Sequence, residues 1–226
     1  MCLARQYTQT GLKKDFQVRY VSQGGMMKIL LASNNPSKRE QIRPFLADLP
    51  VPLLTMQEAG VVGESLEDGL NHYAIAIDKA MYARQQLQDH DYIVIGEDTG
   101  ISIEALGGQP GIHSKRWAGP DATTDQIMQH VLRQMEGKEN RRAVFICAAA
   151  VLTPKGKPAL FSGRVAGKLL TAPACEPQLQ MPYSPLFQPD GSDKVWAQMS
   201  VEEENAISHR GIVFRQVREY LETLFL

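Results

Sequence analysis

Short apolar runs that stop abruptly at polar clusters set the rhythm of this chain. Residues 28–32 read Lys-Ile-Leu-Leu-Ala and end at Ser33-Asn34-Asn35-Pro36-Ser37, the pattern of a buried strand feeding a loop. Ser37 with Glu40 three positions on is a capping-box pair, which predicts a helix from about Lys38 that Pro44 ends or kinks early. A second helix is expected from Ser65, with Asp68 three positions on and Leu66, Leu70, Tyr73, Ile77, Met81 and Leu87 along its inward face. Residues 92–96 (Tyr-Ile-Val-Ile-Gly) form a second buried strand that stops at Glu97-Asp98-Thr99-Gly100, and residues 101–106 a short strand before the Gly107-Gly108 turn.

Thr123 with Gln126 opens a third helix that turns Ile127, Val131, Leu132 and Met135 inward. Residues 143–152 and 159–165 flank Pro154-Lys155-Gly156-Lys157-Pro158 and read as a strand hairpin. Residues 171–193 hold five prolines and little periodicity, which suits a long ordered loop or lid. Ser200 with Glu203 caps a short helical turn, and a last helix runs over residues 211–225 with Ile212, Val217, Leu221 and Leu224 on one face. Early alternation of strands and helices with a hairpin in the middle predicts an α/β fold: a mixed central sheet with flanking helices, in two lobes around a cleft. Residues 1–26 stand apart as an extension, disordered or the product of a start codon placed too early. Residues 27–226 form one unit.

Composition narrows the function classes. The chain has 226 residues and a formal net charge of -1, which excludes bulk electrostatic gripping of polymeric nucleic acid but leaves room for a local basic pocket. Three scattered cysteines (Cys2, Cys147, Cys175) make neither a disulfide framework nor a zinc site, and point to a reduced, cytoplasmic setting. The longest apolar run, residues 143–152, is about half of a membrane span, so no membrane partner is expected.

Three clusters carry candidate chemistry. The loop from Ser33 to Ser37 leads from a strand end into a helix start, where backbone N–H groups favour an anion. Lys38 adds a positive charge at the helix end that ordinarily prefers acids. A bound phosphate explains that placement; a capped loop with a solvated lysine is the alternative. Glu97 and Asp98 are adjacent carboxylates at an apolar strand's end, costly unless exposed or neutralised. A hard cation such as Mg²⁺ would neutralise them, and an Asx-type turn is the plainer reading. His209 and Arg210 precede the last helix, offering a neutral or switchable donor and a planar fork for phosphate or carboxylate, or else a surface basic pair. The other histidines, His72, His90, His113 and His130, show no metal spacing and read as ordinary surface or half-buried residues.

Taken together, residues 31–40 (Leu-Ala-Ser-Asn-Asn-Pro-Ser-Lys-Arg-Glu), 96–101 (Gly-Glu-Asp-Thr-Gly-Ile), 106–116 (Leu-Gly-Gly-Gln-Pro-Gly-Ile-His-Ser-Lys-Arg) and 206–211 (Ala-Ile-Ser-His-Arg-Gly) resemble the inosine triphosphate pyrophosphatase family, the Ham1-like non-canonical purine NTP pyrophosphatases. The first stretch alone also suits the related Maf-like pyrophosphatases. The resemblance implies a two-lobed homodimer and a Mg²⁺-dependent reaction, with Mn²⁺ as a substitute. A nucleoside triphosphate is cut between its α and β phosphates. Ser33, Asn34, Asn35, Pro36, Ser37 and Lys38 would hold the triphosphate. Asp98, with Glu97, would bind the metal, and Asp98 would take the proton of the attacking water. Thr99 would contact substrate, and Tyr183, His209 and Arg210 would surround the base.

The departures from the family's pattern cluster on that site. Aligned through Lys79-Ala80, the family's Glu-Asn pair, whose Glu is a metal ligand, is Ala74-Ile75 here. That leaves Glu97, or the Glu67-Asp68 pair, to take its place. The base-reading Phe-Gly-Tyr-Asp corresponds to Met181-Pro182-Tyr183-Ser184, and a family lysine to Glu204. Like charges ~4 Å apart repel by about 4 kcal/mol at an effective dielectric near 20, so these changes predict altered or relaxed base selectivity. A nucleotide-binding protein of the same fold without catalysis, and a phosphohydrolase for another small phosphorylated metabolite, are the alternatives.

Overall fold

The computed structural model describes residues 21–22 and 25–225. Most of the expected extension therefore lies outside the described residues; within it, β1 (Val21–Ser22) and β2 (Gly25–Met26) pair antiparallel. β3 (Lys28–Ala32), α1 (Pro36–Leu46), β4 (Leu53–Thr55), α2 (His72–Gln86) and β5 (Tyr92–Ile103) follow. Then come β6 (Pro110–Gly111), α3 (Thr124–Gln134), β7 (Arg142–Leu152), β8 (Ala159–Leu169), β9 (Phe187–Pro189), α4 (Val201–Ile207) and α5 (His209–Phe225). The main sheet runs β4-β3-β5-β7-β8-β9, with β6 on β5. β3 is parallel to β4 and β5, and the remaining pairs are antiparallel. This is the mixed α/β architecture that the alternation of elements predicted.

Helices cover both faces. α1 and α5 close one face over Ile29, Leu31, Ile93, Ile95 and Val151. On the other face α2 lies against β5 and β7, above Leu30, Val94 and Leu152. A second core, built from α3 and the 183–199 segment, fills the far lobe around Phe145, Phe187 and Trp196. Each fully buried Leu or Ile contributes about 2 kcal/mol on transfer from water.

The local start signals mostly hold. Thr123 and Gln126 form the expected capping box, as do Ser200 and Glu203. α1 starts earlier than Ser37 predicts: Asn35 is the cap, its side chain accepting from the Lys38 amide at 3.0 Å, and Pro36 takes the first turn, where its missing N–H costs nothing. Pro44 does not end this helix, which continues to Leu46.

Two further expectations fail. The second helix does not begin at Ser65. Asn71 caps it by accepting from the Ala74 amide, while ion pairs of Glu64 with Lys115 and of Glu67 with Arg116 hold the preceding segment open. Leu66 and Leu70 are therefore 88% and 94% exposed, and the buried face is Ile75, Ala76, Ala80 and Ala83. That small-residue face lets α2 approach β5 so closely that a Cβ on Gly96 would collide with the Ala76 carbonyl. Nor is there a loop at residues 97–100. β5 runs unbroken through them because β7 pairs with it from Val94 to Ile103.

Candidate active site

The site forms where β3 ends. Ala32 pairs with Gly96; beyond that point β3 turns into the Ser33–Asn35 loop while β5 carries on. Ligands of open α/β sheets gather in such a crevice at strand ends. Here a cleft of about 580 Å³ opens, lined by Ser33, Asn34, Asn35, Lys38, Glu64, Glu67, Lys79, Asp98, Thr99, Phe145, Tyr183, Trp196, Glu204, His209 and Arg210. Pro36 and Ser37 are not on its wall. Pro36 belongs to the first turn of α1, and the Ser37 hydroxyl donates to the Leu179 carbonyl at 2.7 Å.

Side chains alternate across a strand, and that separates the two adjacent carboxylates. Asp98 turns to the cleft and to α2. Its Oδ1 accepts from Lys79 Nζ at 3.1 Å and its Oδ2 lies 2.7 Å from His72 Nδ1. Burial pushes its pKa up, but the His72 hydrogen bond and the Lys79 charge outweigh that and lower it. Glu97 turns to the opposite side, toward α1 and α5, and its side chain is wholly buried. Lys38 Nζ sits 2.6 Å from its Oε2, Arg210 Nε donates to its Oε1 at 3.4 Å, and the Thr99 hydroxyl also donates to it. Lys38 and Arg210 hold its pKa far below the usual carboxylate range despite burial. Glu97, expected as a metal ligand, thus sits beneath the wall as the anchor of two cations.

Glu67 is the carboxylate that reaches the cleft in the region where Ala74 cannot. Lys79 Nζ lies 2.7 Å from its Oε1 and Arg116 Nη1 3.2 Å from its Oε2. One ammonium therefore bridges Glu67 and Asp98. Burial lowers the Lys79 pKa, but Asp98, Glu67 and Glu97 raise it well above its ordinary value.

The far end of the cleft is aromatic. His209 is 2% exposed, and its ring stacks on Phe145 with centroids 4.7 Å apart and planes at 14°. Neither ring nitrogen has a hydrogen-bond partner. Burial and the nearby Arg210 keep this imidazole neutral, its pKa well below the ordinary 6.5. Tyr183 is a wall residue whose hydroxyl donates to the Ser114 carbonyl at 2.9 Å. Arg210 spends its guanidinium on Glu97, Gln41 and Thr99.

The cleft thus joins a donor-rich loop with a lysine, a carboxylate held by a lysine and a histidine, and an aromatic end with an unpartnered imidazole. That is equipment for a phosphorylated planar ligand. The Ham1 family profile matches residues 29–220. The chain belongs to the Ham1 family. A dITP/XTP pyrophosphatase of Caldanaerobacter subterraneus subsp. tengcongensis is 35% identical over 198 residues, covering 87% of this chain and 96% of that protein. The HAM1 protein from Coxiella burnetii is similar in structure with a TM-score of 0.75 at 30% identity, over 88% of this chain and all of that one. The Staphylococcus aureus Ham1 protein gives 0.73 at 28%, over 87% and 98%.

Within this Ham1 fold, sequence reasoning missed His72 and Lys79 as partners of Asp98. Lys79 served only to align the second helix. His72 follows the Asn71 cap, a place that signals nothing by itself; only the pairing of β5 shows that Asp98 lies beneath it.

Proposed function

We propose that this protein is a nucleoside triphosphate pyrophosphohydrolase acting on non-standard nucleotides, with altered or relaxed base selectivity. The observation that carries it is Asp98. A carboxylate kept ionised by His72 and Lys79 shares one cleft with the Ser33–Asn35 loop and Lys38. Similarity to a dITP/XTP pyrophosphatase over most of both chains supports the same reading.

In this reading the Ser33–Asn35 loop and the Lys38 ammonium, which line the cleft together, orient the triphosphate. Asp98 holds the attacking water and accepts its proton. The water oxygen bonds to the α-phosphorus as the bond to the bridging oxygen breaks, and pyrophosphate leaves with that electron pair. A Mg²⁺ would fit Asp98 and Glu67, two hard oxygen donors bound to one ammonium. No group of three or more His, Cys, Asp or Glu among the described residues is arranged to hold a metal by itself, which suits an ion that arrives on substrate phosphates and keeps one or two carboxylates. When bound, the metal offsets phosphate charge; Mn²⁺ would serve in the same way. A homodimer belongs to the same proposal and is read from the solution mass against 25.1 kDa.

Phosphorus NMR of the products tests the reading. Monophosphate with pyrophosphate supports it, and orthophosphate contradicts it. A second reading, nucleotide binding without turnover, is favoured by Ala74 standing where the family has a carboxylate. It predicts that a triphosphate raises Tm while no product forms.

A further inference from the structure

Lys79 Nζ sits among three oxygens. It lies 2.7 Å from Glu67 Oε1 and 3.1 Å from Asp98 Oδ1, and it donates to the Glu97 carbonyl at 3.3 Å. An ammonium has three donors, so its capacity is used up there. The oxygens come from the stretch before α2 and from β5, and they converge only through the fold. Lys79 reaches them because α2 packs on β5 through Ala76 and Ala80, close enough to exclude a Cβ at Gly96.

The outer oxygens of both carboxylates are taken as well. Arg116 Nη1 lies 3.2 Å from Glu67 Oε2, and His72 Nδ1 lies 2.7 Å from Asp98 Oδ2. Water screens the group little, because the side chains of Lys79, Glu67 and Asp98 are only 15%, 12% and 7% exposed. Two carboxylates therefore face two full positive charges, Lys79 and Arg116. A hard divalent ion asks for the same inner oxygens as the ammonium, and two cations at one point repel. The place takes one or the other.

We propose that Lys79 is a placeholder for the divalent ion: its ammonium holds Glu67 and Asp98 in a cation-binding pose, keeps free metal out, and yields only when a nucleotide brings both an ion and phosphates for the ammonium to bind. The inference rests on the metal-nucleotide reading of the cleft and adds the order of arrival. In the empty cleft Lys79 spares the two buried carboxylates an unbalanced charge, a role that the triphosphate's ion takes over.

Binding of Mn²⁺ alone to the full chain is followed by loss of the free-ion electron paramagnetic resonance signal, with no nucleotide present. Lys79→Met, which keeps the apolar stem and removes the charge, should bind Mn²⁺ about tenfold more tightly than wild type or better, the size of coupling usual between two ligands of one protein. Adding Glu67→Gln or Asp98→Asn to Lys79→Met should abolish the gain. Lys79→Gln, neutral but still a donor, should repeat the gain and serves if the methionine variant does not fold. A merely structural ion pair predicts lower stability in these variants and no gain of metal. No gain overturns the proposal, as does a gain that survives loss of either carboxylate. If neither Lys79 variant folds, wild type and Glu67→Gln decide: equal binding of free Mn²⁺ supports the proposal, and weaker binding by Glu67→Gln overturns it. Pyrophosphate release by wild type is assayed separately. Release without the metal gain sinks this inference only; the gain without release sinks the hydrolase reading only.

Discussion

Lys38 Nζ lies 2.6 Å from Glu97 Oε2, tying the first turn of α1 to the middle of β5. Arg210, from the first turn of α5, meets the same carboxylate. Glu97 thereby fastens the loop, the strand and the last helix at one point behind the cleft. Removing its charge leaves two cations of the cleft wall, Lys38 and Arg210, without their carboxylate partner. Glu97→Gln should cost about 3–5 kcal/mol of stability, read from urea denaturation, and an unchanged midpoint would contradict this anchoring role.

The same groups set the acid limit of the fold. Glu97 is held below its ordinary value of 4.5, because Lys38 and Arg210 outweigh the burial that would raise it. Its contribution is complete above about pH 4.5 and is lost as pH falls toward the lower folded value. His209 is held neutral below its ordinary 6.5, chiefly by burial. It binds a proton more readily when unfolded, so its contribution is present above about pH 6.5 and is lost as pH falls. Stability should therefore start to fall below pH 6.5. His209→Phe, which keeps a flat ring against Phe145, should flatten the first part of that fall in a pH series of thermal melts.

Gly96 is where α2 touches β5. An added Cβ would meet the Ala76 carbonyl, with the Ala80 amide nitrogen 2.9 Å away, and neither backbone atom can step aside. Gly96→Ala should destabilise by about 3 kcal/mol or more, at the upper end of overpacking costs. A shift in the denaturation midpoint within a few tenths of wild type would show that the helix rides higher on the sheet.

His72 fixes one oxygen of Asp98 while Lys79 fixes the other. Loss of an orienting partner of this kind costs about 10–100-fold in activity. His72→Ala should lower kcat by that range with KM for the triphosphate nearly unchanged, and His72→Gln should recover part of it by donating to the same oxygen. A fall in affinity with kcat intact would place His72 in binding instead.

Much of this arrangement was legible in the chain, and the exceptions share a cause. Capping boxes at Thr123 and Ser200 are local, three residues wide, and they hold. The hairpin of β7 and β8 is equally local. What the chain did not show depends on partners distant in sequence. The break predicted after Gly96 is absent because β7 carries β5 through Glu97 and Asp98. The opposite roles of those two neighbours follow from the strand's alternation, which a loop reading hides. The α2 face was sought among large apolar residues, yet the buried one includes Ala76, Ala80 and Ala83. Lys38, Thr99, His209 and Arg210 do line the expected cleft, whereas Pro36, Ser37 and Glu97 support it from outside.

Asp98 is the group on which the proposed chemistry turns, and its conversion to an amide is the most direct measurement. Pyrophosphate release is followed from a panel including ITP, XTP and dUTP with Mg²⁺ and with Mn²⁺, for wild type and Asp98→Asn. Wild type should release pyrophosphate from at least one triphosphate. Asp98→Asn should lose about a hundredfold or more, within the range that a positioned base contributes, while still binding nucleotide. Equal rates for the two proteins, or no release from any triphosphate, would contradict the account.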